Sequence, residues 1–161
     1  MRALLYIIIV FTLFSCGSKP DVLAPIMGET KAHFRGNSIG DKYPNVLKHT
    51  AKDNPTSTEE GVLNCEFKVA DSELIVRYEF DQEKLYAIQA DIFFQDSASL
   101  NLFEKTLIEK YNASYGVVDE DSGFLVWQHR HSDTEVEFTL ADESIEFGQP
   151  KLSLTIYNFG N

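Results

Sequence analysis

The sequence predicts an α+β domain: an antiparallel sheet carrying two helices. Three observations predict it. Two pairs of segments alternate apolar and polar residues about short polar turns, as half-buried antiparallel strands do. Residues 97–111 repeat apolar side chains at helical spacing. A length of 161 residues with 43% hydrophobic and 24% charged content suits one globular domain. The formal net charge of −11 excludes a nucleic-acid partner, which would need clustered Lys and Arg. It equally disfavours binding an anionic bilayer through charge alone.

A first helix is predicted over 41–49, with Asp41 as cap and Pro44 tolerated in the first turn. Residues 62–69 and 73–80 then alternate about Asp71-Ser72. The expected pairs are Leu63 with Phe80, Cys65 with Tyr78, Phe67 with Val76 and Val69 with Leu74, and Glu66 faces Arg77 on the other side. A third strand over 84–94 follows a turn at 81–83, its better apolar face being Tyr86, Ile88, Ala90, Ile92 and Phe94. Phe93 and Phe94 are adjacent and must face opposite ways. Either the second face of the sheet is also covered, which is the expectation, or one ring is exposed and marks a groove.

The clearest helix opens at 96–99 and runs to Tyr111. Leu100, Phe103, Leu107 and Tyr111 form its stripe, and Asn112 is a suitable terminator. Residues 117–123 read as a solvated acidic loop around Asp119, Glu120 and Asp121. An EF-hand there would need glutamate where Arg130 stands. The second hairpin, 124–130 with 134–141, pairs Leu125 with Leu140, Trp127 with Phe138, His129 with Val136 and Arg130 with Glu135. A last strand, 152–157, places Leu152, Leu154 and Ile156 together. The order is helix, three strands, helix, three strands, which suggests a tandem αβββ-αβββ arrangement.

The N-terminus carries the one recognisable signal. Arg2 precedes an uncharged apolar run over 3–14 that ends in Leu13-Phe14-Ser15-Cys16. This resembles the lipobox of bacterial lipoproteins, in a phenylalanine-bearing form like that of Bacteroidota. The resemblance implies diacylation of the Cys16 sulfur, cleavage before Cys16 and acylation of the new amino group. Residues 1–15 are then a signal peptide, 16–32 a lipidated cysteine and tether, and 33–161 one globular domain. Gly17 follows the cysteine, where enterobacteria-like systems use Asp for inner-membrane retention, so the outer membrane's periplasmic face is expected. The helix-on-meander layout is similar, in fold alone, to small periplasmic inhibitors and outer-membrane assembly lipoproteins; no signature motif of either group is present.

Catalytic and metal chemistry find little support. Cys65 beside a histidine would make a nucleophile pair, but it alternates with Leu63 and Phe67 and is expected to be a buried small side chain. His129 and His131 lie on one side of a strand and are the weak metal candidates; Asp133 or Glu135 would have to complete the site, and no third ligand is fixed. His33 and His49 have no partners nearby in sequence. Asn112-Ala113-Ser114 is a glycosylation sequon, idle in a bacterium. No phosphate-cradling loop, GxSxG, HExxH or CxxC occurs, and no cofactor is indicated. The expectation is therefore a non-enzymatic binding or accessory protein of the cell envelope. It would meet the membrane through lipidated Cys16 and take an envelope protein or a small apolar ligand as partner. The alternative is an inhibitor or immunity protein against a cationic toxin or wall-degrading enzyme, steered by its acidic charge.

Overall fold

The computed structural model describes residues 21–28, 31–57, 59–131 and 134–160. The lipobox residues Leu13, Ser15 and Cys16 lie outside them. Strands β1 (Val62–Val69), β2 (Ser72–Asp81), β3 (Lys84–Phe93), β4 (Asp119–Asp121), β5 (Phe124–His131), β6 (Thr134–Asp142) and β7 (Lys151–Asn158) form one antiparallel sheet. Helices α1 (Ala24–Met27), α2 (Tyr43–Thr50), α3 (Ser97–Tyr115) and α4 (Ser144–Phe147) complete the fold. The strand order β1-β2-β3-β7-β6-β5-β4 joins two meanders at β3 and β7. The fold is thus α+β on an antiparallel sheet. The second half departs from a copy of the first, because β4 adds a strand and α4 separates β6 from β7.

One face of the sheet carries the core. Leu74, Val76, Ile88, Ile92, Phe138, Leu152, Leu154 and Ile156 are all buried on it. The α3 stripe of Leu100, Phe103, Leu107 and Tyr111 packs there as the spacing predicted. Asp96 caps α3 by accepting the Ser99 N–H at 2.8 Å. The second hairpin has the expected register, including Trp127 opposite Phe138.

The first hairpin differs by two residues. Val69 pairs with Ser72 about a two-residue turn, with Ala70 in the left-handed region at φ 51°. Leu63 therefore meets Tyr78, Cys65 meets Val76 and Phe67 meets Leu74. The turn falls one residue earlier than expected, on Ala70-Asp71 instead of Asp71-Ser72, and the resulting slip of two preserves every side chain's face. Glu66 now faces Ile75, and Arg77 turns to Glu79 and Glu59 instead.

Other differences have local causes. A bulge between Glu79 and Phe80 shifts the β2–β3 register, so Leu85 is buried and Tyr86 points outward, its hydroxyl donating to Glu79. Helix α2 starts with Lys42 as cap residue, while the Asp41 carboxylate accepts the Ser38 N–H one turn earlier. Helix α3 runs past Asn112 to Tyr115 and closes at Gly116. Residues Asp119–Asp121 are the edge strand β4, turned into β5 by Ser122 and Gly123, both at positive φ. Residues of the expected tether pack instead: Leu23, Ile26 and Met27 are buried in the core around α1.

The second face of the sheet is open rather than covered. It carries Gln128 and Tyr157 bonded to Glu137, and an Arg130–Glu135 ion pair. Phe93 is partly covered by the Phe147 ring of α4, 6.5 Å away. Beside them Lys151 is buried, with its ammonium 2.7 Å from Glu143 and 3.3 Å from Asp91, over the Phe147 ring.

Candidate binding cleft

A cleft of about 730 Å3 opens where α1, α2 and β1 leave the sheet uncovered. Its architecture rests on a tight turn. Phe34 and Asn37 exchange both backbone hydrogen bonds, at 3.0 and 2.8 Å, across Arg35 and Gly36. Both central residues have positive φ, 48° and 85°, the requirement of a type I′ turn. An arginine in that conformation is strained by about 1–2 kcal/mol. Its side chain shows what holds it. The guanidinium meets Asp53 through Nε at 3.0 Å and Nη2 at 2.8 Å, a bidentate fork. Its Nη1 donates to the carbonyls of Pro25 and Ile26, and the plane sits 4.5 Å over the Phe67 ring. The Arg35 N–H also donates to Met27 at 2.7 Å. Gly28 lies so close that an added Cβ would come within 3.1 Å of the Arg35 Cα, and its φ of 82° suits glycine. One side chain thus fastens α1, the 3-10 turn Ala51–Asp53 that follows α2, and β1.

Behind this pair lies a buried polar layer. The Asn37 amide oxygen is bonded to His49 Nδ1 at 3.0 Å, and the Thr50 hydroxyl donates to the Val46 carbonyl at 2.9 Å. Cys65 is buried beneath, as its alternation predicted. Burial first, then the Asp53 charge, pushes its thiol up to about 11 against the opposing effect of Arg35. Little thiolate exists at neutral pH. The Asn37 amide nitrogen and the Tyr78 hydroxyl are buried without a hydrogen-bond partner among the described residues.

The cleft's charge is opposite to that of the chain. Arg35, His49, Lys52 and Lys68 line it, and among the described residues its one lining carboxylate, Asp53, is engaged by Arg35. Lys68 has an exposed partner, Glu73, at 3.4 Å. Pro25, Phe67 and Val69 supply an apolar floor. The arrangement suits an elongated group with apolar contact and negative charge; it offers no activated nucleophile.

The other sequence candidates are dispersed. His129 lies against the Tyr115 ring at 5.2 Å, and the side chain of His131 is outside the described residues, as is Asp133. Among the described residues no group of three His, Cys, Asp or Glu side chains is placed to hold a metal. His33 sits edge-on to Phe138 at 5.4 Å, and its Nδ1 accepts the Ile39 N–H at 3.1 Å. Of the histidines whose side chains are described, only His49 lines the cleft. Arg35, Asn37 and Asp53 carried no local signal, because their partners come from distant segments.

Burial pulls the His33 imidazole below its ordinary value, opposed by Asp41 and reinforced by His129. The unfolded chain then takes up this proton first as pH falls through 6.5. Stability contributed by neutral His33 is therefore present above that pH and is lost as pH falls toward the folded value. In thermal melts from pH 7.5 to 5, His33→Gln is expected to flatten the slope of Tm against pH in that window. An unchanged slope would show that the His33 proton is not linked to folding.

No protein-family model and no curated protein matches the sequence. Among solved structures, the chain is similar to one described as a cysteine-rich secretory protein from Staphylococcus aureus subsp. aureus Mu50. The match has a TM-score of 0.32 and 16% identity, over 86% of this chain and 48% of that one. The chain thus spans about half the length of that protein. Among the described residues no helix is long and apolar enough to cross a membrane.

Proposed function

We propose that the chain is a lipid-anchored, non-enzymatic binding protein of the bacterial envelope. Cys16 holds it at the periplasmic face of the outer membrane, and the cleft beside Arg35 receives part of an envelope protein. The observation that carries this reading is the Leu13-Phe14-Ser15-Cys16 lipobox, five residues before Asp21. Five residues reach at most about 18 Å when fully extended. An acylated Cys16 therefore keeps α1, and the cleft whose wall includes Ala24 and Pro25, close to the bilayer. Two or more acyl chains make such anchoring stable where one would be reversible.

Cys16→Ser tests the anchor. The variant is expected to lose palmitate labelling and either accumulate as precursor or leave the membrane fraction. Continued labelling and membrane fractionation would refute it. The second reading, an inhibitor of a cationic toxin or wall-degrading enzyme, draws on the net charge of −11 and the carboxylates of the open sheet face. It calls for a partner whose capture depends on Glu79 and Glu137 and collapses with salt.

A further inference from the structure

We propose that the apolar pocket between α1, the β1–β2 turn and the start of α3 holds one acyl chain of the lipidated Cys16 of the same molecule. The inference rests on the lipid-anchor reading above and names where part of that anchor goes.

The pocket, about 230 Å3, includes Val22 in its lining, next to Asp21 where the described residues begin. Its floor is the Phe94 and Phe103 ring pair, 5.3 Å apart, together with Ile26 of α1; all three are buried. Val22 and Val69 are half-buried sides, and Leu102 stands on the lip, 54% exposed. Leu102 lies off the α3 stripe of Leu100, Phe103, Leu107 and Tyr111, so the core does not use it. Among the described residues the lining holds one charged group, the exposed Asp71, and no cation. A carboxylate or phosphate ligand would meet repulsion there and no counter-charge. An uncharged chain leaves Asp71 in water. Sites for compact ligands run to ~300–1,000 Å3. The smaller volume suits a stretch of one hydrocarbon chain.

Connectivity decides which chain. Val22, a lining residue, is the sixth residue after Cys16. Six residues reach at most about 22 Å when fully extended. The entry point is fixed too. The Asp21 carboxylate accepts the Leu23 and Ala24 N–H groups at 2.9 and 3.2 Å, and Leu23, Ile26 and Met27 are buried in the core. The acyl groups of Cys16 are therefore confined near the pocket, at an effective concentration of roughly millimolar order. A chain already joined to Cys16 brings no carboxylate, unlike a free fatty acid, so Asp71 does not oppose it. Bilayer hydrocarbon is as apolar as leucine, so the chain itself loses little by moving from one to the other. What the move gains is the drying of Leu102 and the walls behind it. The remaining acyl chains stay in the bilayer and keep the protein there.

Photocrosslinking tests this. Cells are fed a palmitate analogue that carries a diazirine on its chain, which loads it at Cys16. The full-length lipoprotein is purified in detergent, reconstituted into nanodiscs of unlabelled phospholipid, irradiated and mapped by mass spectrometry. Crosslinks from the anchor are expected on Leu102 and on Phe94 and Phe103, which a chain lying outside the pocket could not reach. Leu102→Asn should lower their yield about tenfold, by removing the apolar lip. Leu47→Asn, at an exposed leucine of α2, should leave it unchanged. Emission of Trp127, in β5, checks that each variant is folded. Three results would overturn the inference: an anchor that crosslinks only to phospholipid, a yield indifferent to Leu102→Asn, or equally strong pocket crosslinks from a photoreactive phospholipid beside an unlabelled anchor. Each of these leaves the lipid anchor standing, because the analogue is still found on Cys16. A protein that carries no analogue at Cys16 would overturn the anchor reading and this inference together.

Discussion

Asp53→Ala is expected to destabilise the fold by about 3–5 kcal/mol, a large share of the ~5–15 kcal/mol that holds a domain together. The Arg35 and Asp53 side chains are only 7% and 6% exposed, so the mutation strands a buried guanidinium. The carbonyls of Pro25 and Ile26 and the Phe67 ring remain, but none carries the compensating charge. The cost arises from the orphaned ion more than from the lost attraction. It follows that Arg35→Met with Asp53→Leu should recover most of the loss, because two apolar side chains replace the pair without leaving a charge behind. Urea unfolding of the three proteins decides the matter. A loss under about 1 kcal/mol for Asp53→Ala would mean that water reaches Arg35 and that the pair behaves as a surface bridge. The exposed Lys68–Glu73 pair is the contrast: its removal should barely move the midpoint.

That ion pair also shows where sequence reading ends. Arg35 and Asp53 are 18 residues apart, and neither lies in an alternating or helical pattern. Arg35-Gly36 is not a typical type I′ pair, so the turn that aims Arg35 inward gave no warning. Facing was legible wherever period two or 3.6 persisted: Leu63, Cys65 and Phe67 share a side, and the α3 stripe is buried. Register was legible only where the position of the turn was. The β5–β6 pairs came out as expected, whereas the left-handed Ala70 moved the first turn back by one residue and so shifted β2 by two. The bulge that exchanges Leu85 for Tyr86 depends on β2, so no pattern within β3 contains it. The β3–β7 pairing joins strands with α3 and three other strands between them in sequence; it is decided by burial of both apolar faces together. For the cleft, His49 was visible without a partner, and β1 is an edge because, among the described residues, only Thr56 pairs beyond it.

Trp127→Ala is expected to cost about 3–5 kcal/mol, the range for truncating a buried aromatic side chain. Trp127 is 2% exposed and stands across from Phe138. The Tyr111 ring meets it edge-on at 5.3 Å and lies 5.0 Å from Phe138. The indole N–H donates to the Asn112 side-chain oxygen at 2.8 Å, and the same oxygen accepts the Val118 N–H at 3.0 Å. Asn112 thus ties α3 and the chain after Gly116 to β5, the work it does here instead of ending the helix. Truncation removes ring packing and one of the two donors, so the cavity forms at the joint between α3 and the second meander. Trp127→Phe keeps much of the volume and loses the donor, so it should cost markedly less than the alanine change. The protein has a single tryptophan, which makes the native state easy to read. Its emission should be blue-shifted when folded and move to the red on unfolding, with a midpoint that coincides with the loss of far-ultraviolet circular dichroism. Emission at the position of free tryptophan in the native protein would place the indole in water and refute the packing of α3 on β5.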